Sequence, residues 1–271
     1  MTVTVESGVE IYFEVAGDGE PVLLICGFAA DSTFWAGVLP LLAGRHRVVT
    51  LDPRGAGRSS TPAGSYGLSA SGEDVLAVLR AAGIPRAHIV GHSLGAGVAQ
   101  WLAWQHPEVV STLVLFNAAS RLGVHGRLAL TAAGHFYDTD PAPIRLLAEA
   151  LYPWLFSRAY LEADDNLALL LNASLQHPYP QSRAGYEGQL QVLLEMDTRP
   201  WLPHIAAPTL VVAAEHDVLL PSDEAALLTR CIPGARLVTV AGAGHCAPVE
   251  QPRSCAELIV GHVALTPARG G

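Results

Sequence analysis

Short, continuous apolar runs recur along this chain, and segments with helical spacing lie between them. A run of about four to eight apolar residues is typical of a strand buried on both faces of a parallel sheet. Repeated alternation of such strands with helices predicts an α/β fold, a mostly parallel central sheet with helices on both faces. The predicted strands are residues 22–26, 47–51, 88–90, 109–116, 209–213 and 237–240, and the predicted helices are residues 34–42, 68–82, 94–106, 222–231 and 254–264.

Two segments depart from this alternation. Residues 2–5 and 9–15 flank Ser7-Gly8 and alternate in polarity, which predicts an antiparallel hairpin before the parallel strands. Residues 119–201 carry helical patterns and many aromatic residues without a clear strand. We therefore predict that residues 1–118 and 202–271 form the core, and that residues 119–201 form a helical cap inserted over the ends of the sheet.

The charge of the chain narrows the classes of partner. The formal net charge is −9, and all 16 basic residues are arginine. An acidic chain without a basic run repels phosphate backbones and anionic lipid, so we expect neither nucleic acid nor a membrane surface as a partner. The absence of lysine excludes enzymes that depend on a Schiff-base lysine or a P-loop lysine.

The expected location is the cytoplasm. The first residues show no signal-peptide pattern, and no uninterrupted apolar stretch approaches the ~20 residues needed to span a bilayer. A chain of 271 residues can bury a core without disulfides, and its cysteines lie far apart in sequence. Reduced thiols are therefore the favoured interpretation for Cys26, Cys231, Cys246 and Cys255.

The segment Gly91-His92-Ser93-Leu94-Gly95 matches the pattern G-x-S-x-G. It lies between a predicted strand and a predicted helix, where this pattern forms a sharp turn that exposes a nucleophilic serine. The amino terminus of the helix favours negative charge, and the turn directs the Leu94 amide toward an oxyanion that forms beside Ser93. The sequence therefore predicts Ser93 as the nucleophile and the Leu94 amide as a donor of the oxyanion hole.

A serine hydroxyl needs an adjacent base to react at neutral pH. Of the eleven histidines, His245 is the candidate, because it lies in a glycine-rich loop after the last predicted strand. A loop in that place can return an imidazole over the carboxyl edge of the sheet. We expect His46, His88, His204 and His262 at ordinary surface or cap positions. No metal-ligand spacing such as H-E-x-x-H occurs, so we predict no metal site.

The third member of such a site is a carboxylate on the loop after the penultimate strand. Asp217 fits best there, and Glu215 and Asp223 are the rival candidates. Its expected role is to orient His245 and to stabilise the imidazolium, without accepting the proton itself. The chain order of serine, then aspartate, then histidine is the one that accompanies this serine turn.

These segments together resemble the α/β-hydrolase superfamily, in particular its small capped serine esterases and enol-lactonases. The resemblance covers nearly the whole chain and includes two more motifs, Leu24-Ile-Cys-Gly-Phe28 and Asp52-Pro-Arg-Gly-Ala-Gly-Arg-Ser59. The first resembles the oxyanion loop of the family, which implies that the Phe28 amide is the second oxyanion donor. Cys26 stands where the family usually has histidine, so the hydrogen bonds that brace this loop must differ. A small buried thiol is the favoured interpretation of Cys26, ahead of a thiol that faces the site.

The resemblance implies hydrolysis of a small-molecule carboxylic ester or lactone through an acyl-enzyme on Ser93, with no metal or organic cofactor. The aromatic residues of the cap predict an apolar pocket for small to medium substrates, although packing in the core of the cap is the favoured interpretation for any individual one. Residues 115–123 are similar to the start of the cap in 3-oxoadipate enol-lactonases, whose substrate carboxylate an arginine could clamp. The arginines in or near the cap are Arg121, Arg127, Arg145, Arg158 and Arg183.

Two further classes of function remain open. The same three catalytic residues serve carbon–carbon bond hydrolases and lyases, which differ in the shape of the pocket. A non-catalytic ligand receptor on this scaffold is the alternative from another class, because such receptors can retain the catalytic residues. Haloalkane dehalogenases and epoxide hydrolases have aspartate at the nucleophile position, so Ser93 disfavours both. The sequence makes no prediction of oligomeric state.

Overall fold

A computed structural model describes residues 1–139 and 141–265. Its strands form one sheet of eight. The first two pairings at one edge of the sheet are antiparallel, and the remaining five pairings are parallel. The predicted hairpin and the mostly parallel sheet are both confirmed. The strands are β1 (Thr2–Thr4), β2 (Glu10–Ala16), β3 (Glu20–Ile25), β4 (His46–Leu51), β5 (Ala87–His92), β6 (Val110–Phe116), β7 (Thr209–Ala214) and β8 (Arg236–Val240), in the spatial order β1-β2-β4-β3-β5-β6-β7-β8.

The helices that alternate with the strands agree with the prediction, except that one predicted helix is divided in two and a short helix, α10, was not predicted. They are α1 (Leu39–Ala43), α2 (Leu68–Ala81), α3 (Leu94–Gln105), α4 (Val124–Gly134), α5 (Ile144–Leu155), α6 (Arg158–Glu162), α7 (Asn166–Leu175), α8 (Arg183–Glu195), α9 (Ser222–Cys231), α10 (Ala247–Glu250) and α11 (Pro252–Ala264). The predicted helix 34–42 is instead a 3₁₀ turn, Ser32–Trp35, followed by α1. Pro40 lacks an amide hydrogen and therefore stands in the first turn of α1 rather than inside a longer helix.

Helices α4–α8 form an insertion between β6 and β7, which we call the helical insertion. In residues 119–139 and 141–201 the structure contains no strand, in agreement with the pattern of the sequence. The division of the chain into a core and a cap stays a prediction, and residues 140 and 266–271 of the predicted segments lie outside the described residues.

Two apolar cores lie on opposite faces of the sheet, because successive side chains of a strand point in opposite directions. On β3, Leu23 and Ile25 belong to the core that includes residues of α2, α3 and α9, whereas Val22 and Leu24 belong to the core that includes residues of α1 and α11. All four side chains are buried. This explains why the parallel strands read as continuous apolar runs without alternation.

The order of strands reverses beside β3. The chain passes from β3 to β4 on one side and then returns to β5 on the other side. Loops that leave the carboxyl ends of β3 and β5 therefore diverge and leave a crevice, which is the usual place of a binding site in an open α/β sheet. The loop after β3 and the turn after β5, which carries Ser93, both emerge at this crevice.

Three histidines near the opposite edge of the sheet are buried, in contrast to the predicted surface positions. His46 and His88 lie at or near the starts of β4 and β5, and His262 lies on α11. Hydrogen bonds compensate the burial of two of them: His88 Nδ1 pairs with Thr112 Oγ1 at 2.9 Å, and His262 Nε2 lies 3.0 Å from the carbonyl oxygen of Pro208. Nδ1 of His46 is buried without a hydrogen-bond partner among the described residues. The fourth, His204, is exposed as predicted.

We expect the unfolding free energy to fall as the pH is lowered from about 6.5 to 5. Burial lowers the pKa of His88 and of His262 below the value of the unfolded chain. In that window the unfolded chain binds more protons than the folded one, so each of the two histidines removes up to about 1.4 kcal/mol per pH unit. Urea denaturation at several pH values measures this slope.

A neutral replacement identifies the source of the slope. His88→Asn keeps a partner for Thr112 and should make the dependence on pH shallower, whereas His125→Asn, at an exposed position, should leave it unchanged. An identical slope in wild type and His88→Asn would contradict the assignment to His88.

Candidate active site

Ser93 lies at a strained turn between β5 and α3. Its backbone has φ 52° and ψ −117°, in a region that residues with a Cβ rarely adopt. A Cβ on Gly95 would lie 2.4 Å from the carbonyl oxygens of Ile25 and Cys26, and one on Gly91 would lie 2.5 Å from the carbonyl oxygen of Gly95. The two glycines of the motif are thus required because backbones meet there. The expected strand–turn–helix context of G-x-S-x-G is confirmed.

Asp217 and His245 come together after β7 and β8. Asp217 Oδ2 lies 2.8 Å from His245 Nδ1, and both side chains are buried. The amides of Leu219 and Leu220 donate to Asp217 Oδ1 at 3.0 and 2.8 Å. Because Asp217 accepts at Nδ1, that nitrogen of His245 carries the proton and Nε2 is the nitrogen available to act as a base.

The Asp217 carboxylate is held in its charged form. Burial alone would raise its pKa, but the adjacent His245, together with hydrogen bonds that include Leu220 and Asn117, holds the pKa of Asp217 below its usual value. The rival carboxylates are engaged elsewhere: Glu215 accepts from the Gly242 amide at 2.8 Å, and exposed Asp223 accepts from the amide of its neighbour in α9. Of the three carboxylates, the structure brings Asp217 to His245.

Asn117 is a site residue that sequence analysis missed. It directly follows β6, has a positive φ of 47°, and donates from Nδ2 to Asp217 Oδ2 at 2.8 Å. Its own amide donates to the carbonyl oxygen of Val212 on β7 at 2.8 Å. The signal available in the sequence was the position of Asn117 directly after a predicted strand. Parallel strands end at one edge of the sheet, so a polar residue just after β6 lies beside the loop that follows β7.

His92 connects Ser93 to the histidine loop. Its ring stacks on Phe34, with centroids 4.5 Å apart, and lies 4.9 Å from the ring of His245. Nε2 of His92 lies 2.9 Å from the carbonyl oxygen of His245, and it donates because a carbonyl can only accept. Burial lowers the pKa of His92 to about 3, so it stays neutral and keeps this hydrogen bond at physiological pH.

The loop of His245 also contacts the helical insertion. Glu250 accepts from Ser157 at both its amide (2.8 Å) and its hydroxyl (2.7 Å), and from the Gly244 amide at 3.0 Å. A Cβ on Gly244 would lie 2.5 Å from the nitrogen of Ser157. The Cys246 amide donates to the Leu155 carbonyl oxygen at 2.8 Å. The insertion is therefore bound directly to the segment that carries His245.

The two expected oxyanion donors flank the crevice. Leu94 begins α3, and Phe28 lies in the loop after β3 with its ring 4.7 Å from that of Tyr186 on α8. Within the described ranges, neither amide donates to a protein acceptor. Cys26 is buried, as favoured, and its Sγ lies 3.4 Å from the carbonyl oxygen of Ala30.

A small pocket lies beside Ser93. Its other lining residues are aliphatic or Met: Ala119, Leu122, Leu130, Leu193, Met196, Leu219 and Leu220. The predicted apolar character is present, and no aromatic residue among those described lines this pocket. The aromatic rings of the insertion pack on one another instead, as Tyr152 does on Phe156 (5.4 Å) and Phe156 does on Tyr160 (5.6 Å).

The arginines that were considered as carboxylate clamps do not line this pocket. All five are exposed. Arg145, Arg158 and Arg183 each pair with a glutamate one helical turn away, and Arg127 donates to the Leu194 carbonyl oxygen at 3.0 Å. Exposed pairs of this kind contribute little to stability and leave the pocket without a cationic group from this set.

Two features are absent from the described residues, a metal-binding group and a membrane-spanning helix. Over residues 1–139 and 141–265, no group of three or more histidine, cysteine or acidic side chains is arranged to hold a metal ion. Over the same ranges, no helix has the length and apolarity required to cross a bilayer.

Comparisons with known proteins agree with this architecture. A family model for the α/β-hydrolase fold matches residues 20–252. The protein named "Putative carbamate hydrolase RutD" of Azorhizobium caulinodans is 30% identical over 263 residues, which cover 93% of this chain and 94% of that protein. The enol-lactonase from Burkholderia xenovorans LB400 has a TM-score of 0.88 at 25% identity, covering 97% of this chain and 100% of that one. A hydrolase from Pseudomonas aeruginosa PA01 has a TM-score of 0.87 at 29% identity, covering 97% of both chains.

We expect thiol reagents to modify Cys231 and to spare the site. Burial raises the pKa of the Cys26 and Cys246 thiols far above the usual range and that of Cys255 to about 12, whereas Cys231 is exposed. Native protein treated with N-ethylmaleimide near pH 7.5 should carry one adduct by intact mass, and none after Cys231→Ser. Rapid modification of Cys26 in the folded protein would show that this thiol is accessible from the crevice.

Proposed function

This chain belongs to the α/β-hydrolase family, and we propose that it is a serine hydrolase that cleaves carboxylic esters through an acyl-enzyme on Ser93. The observation that carries the proposal is the buried Asp217–His245 hydrogen bond of 2.8 Å beside the strained serine turn. The pocket beside Ser93 is also lined by Leu219 and Leu220, whose amides bind Asp217. Nucleophile and acid thus belong to one crevice.

The proposed reaction has two steps. His245 Nε2 takes the proton of Ser93 Oγ as this oxygen attacks the ester carbonyl, and the amides of Phe28 and Leu94 stabilise the resulting oxyanion. Collapse of this intermediate breaks the bond to the alcohol, which leaves with the proton from His245. A water molecule, deprotonated by His245, then attacks the acyl-enzyme and releases the acid and the free Ser93 hydroxyl.

Asp217 makes His245 an effective base in this scheme. Its carboxylate fixes the tautomer with the proton on Nδ1 and stabilises the imidazolium formed during attack. The Asn117 amide group and the amides of Leu219 and Leu220 hold the carboxylate in place. A buried carboxylate with four donors stays charged without migrating toward solvent.

The pocket favours an ester with an apolar acyl chain. Apart from Ser93, its lining is aliphatic or Met, and the cationic groups of the insertion point to solvent. A carboxylate-bearing lactone would therefore lose hydration in this pocket without gaining a partner. Carbamates pass through the same kind of tetrahedral intermediate, and the likeness to RutD makes them the second candidate substrate.

We expect a fluorophosphonate to form an adduct on Ser93, located by peptide mass spectrometry. The adduct should be absent in Ser93→Ala, and labelling should slow by about 10³-fold or more in His245→Ala, which lacks the base. Asp217→Asn should also lower ester turnover by about 10⁴-fold, because the wrong tautomer is then favoured. Glu215→Gln is the matched control, with activity close to that of wild type.

The same experiment separates the rival readings. A label on another residue, or undiminished labelling of His245→Ala, would contradict the catalytic assignment. Labelled Ser93 in a protein that turns over neither esters nor carbamates would favour a ligand receptor or a carbon–carbon bond hydrolase. Full activity of Asp217→Asn with loss in Glu215→Gln would move the role of the acid to Glu215.

We expect kcat/KM for p-nitrophenyl esters to rise from acetate to an optimum near butyrate or hexanoate. Each added methylene contacts the aliphatic lining until the pocket is full, at about 1–3 kcal/mol per methylene at most. Met196→Ala enlarges the pocket and should shift the optimum by about two carbons, whereas Met196→Leu, which preserves the volume, should not. A p-nitrophenyl ester of succinate or a p-nitrophenyl carbamate as the best substrate would contradict the apolar acyl assignment.

A further inference from the structure

The oxyanion loop is fixed from the helical insertion as well as from the sheet. We propose that Gln189 of α8 is a positioning residue that sets the conformation of the oxyanion loop, and hence the direction of the Phe28 amide. The inference rests on the proposed function of that amide. Gln189 lines no part of the pocket beside Ser93, so its proposed effect on the reaction is indirect.

Gln189 binds the residue after Phe28. The Ala29 amide donates to Gln189 Oε1 at 2.9 Å, a contact between residues 160 positions apart. Ala29 has φ 56°, a left-handed conformation that a residue with a Cβ adopts at an energetic cost. The Ala29 peptide plane is separated from that of Phe28 by a single Cα, so fixing one plane restricts the other.

The side chain of Gln189 can hold only one orientation. It is 2% exposed, and its Nε2 donates to the carbonyl oxygen of Arg54 at 2.9 Å. A rotation of the amide by 180° would set its oxygen against the Arg54 carbonyl and its NH₂ against the Ala29 amide, losing both hydrogen bonds. Gln181 Nε2 adds a third contact, 3.1 Å from Gln189 Oε1.

The support behind Gln189 is itself rigid. The Arg54 side chain forms a buried two-point ion pair with Asp74, with both nitrogen–oxygen distances 2.6 Å, and donates to the Ala70 carbonyl oxygen at 3.0 Å. This connects the Arg54 backbone to α2 and therefore to the core. Gln189 transmits a position fixed by the core to the oxyanion loop.

Cys26 explains why this loop needs such support. Its thiol is a weak donor, and its contact with the Ala30 carbonyl oxygen is 3.4 Å. A second contact of the loop with α8 is the packing of the Tyr186 ring against Phe28, with centroids 4.7 Å apart. Both the side chain of Phe28 and the following amide are thus held by α8.

The test compares transition-state stabilisation with substrate binding. An alkylboronic acid forms a tetrahedral adduct with an active serine and places an oxygen in the oxyanion hole, whereas KM for a slow ester mainly reports ground-state binding. In Gln189→Leu we expect kcat to fall by about 10- to 100-fold. This decrease should not exceed the decrease in kcat that follows removal of a whole oxyanion donor. The affinity for the boronic acid should fall by a similar factor, with KM changed less than about twofold.

Two variants guard against a merely structural effect. Gln189→Glu keeps the acceptor for Ala29, and its protonated carboxyl can also donate to Arg54, so its boronate affinity relative to wild type should rise as the pH is lowered. Gln191→Leu, also on α8, removes a side chain that bonds to Glu195 at the surface and should behave as wild type. If Gln189→Leu does not fold, the pH-dependent recovery of Gln189→Glu decides the question.

The outcomes separate the two proposals. Wild-type boronate affinity in folded Gln189→Leu, or a ratio for Gln189→Glu that does not change with pH, would overturn the role of Gln189 while leaving the serine hydrolase intact. A wild-type protein that fails to bind the boronic acid and resists fluorophosphonate labelling at Ser93 would overturn the proposed function and this inference together.

Discussion

Contact between the start of α3 and the end of β3 is the constraint on which the site depends. Gly95 lies against the carbonyl oxygens of Ile25 and Cys26, where a Cβ would come within 2.4 Å. This close approach brings the serine turn and the oxyanion loop to the same point, next to the reversal of strand order between β3 and β5. The sheet thereby supplies the crevice, and the missing side chain allows Ser93 to reach it.

Asp217 and His245, the proposed acid and base, depend on a different kind of support. Asp217 and His245 are both buried, and a buried charge is tolerated only when hydrogen bonds replace the lost water. Removing one partner from such a buried pair typically costs about 3–5 kcal/mol, because the other charge is then left alone. Asn117 and two loop amides provide the replacement for Asp217, and the neutral His92 holds the backbone of His245. These groups come from the ends of β5 and β6 and from the loop after β7, at the same edge of the sheet.

The sequence was most informative where chemistry is local. The predicted roles of Ser93, Asp217 and His245 rest on local patterns: the glycines two positions on either side of Ser93, and the apolar strands that Asp217 and His245 follow. Asn117 and Gln189 could not be assigned a role, because each acts on a residue 100 or more positions distant. The same limit applies to the insertion, whose amphipathic pattern predicts helices but not which face meets the pocket. Aromatic rings there pack on one another, as favoured for each of them, and leucines line the pocket.

Buried polar groups were the other weakness of sequence reasoning. His88 and His262 looked like surface residues, since histidine is more often exposed than buried. Their partners, a threonine hydroxyl and a proline carbonyl oxygen, lie on neighbouring strand segments and have no sequence signature. The division of the predicted helix 34–42 does have a signal in the sequence, because Pro40 limits where a helix can begin.

The contact of Ser157 with Glu250 and Gly244 has a consequence for anyone who would re-engineer this protein. One way to change the substrate range of such a protein is to replace the whole helical insertion with that of a relative. Here a foreign segment without a serine at position 157 would lose the hydroxyl donor to Glu250, and one with a different backbone course would lose the amide donor as well. A backbone that passed closer would collide with Gly244, one residue before His245. A graft intended to alter recognition would therefore disturb the loop of His245, the proposed general base, unless it kept residues 155–157.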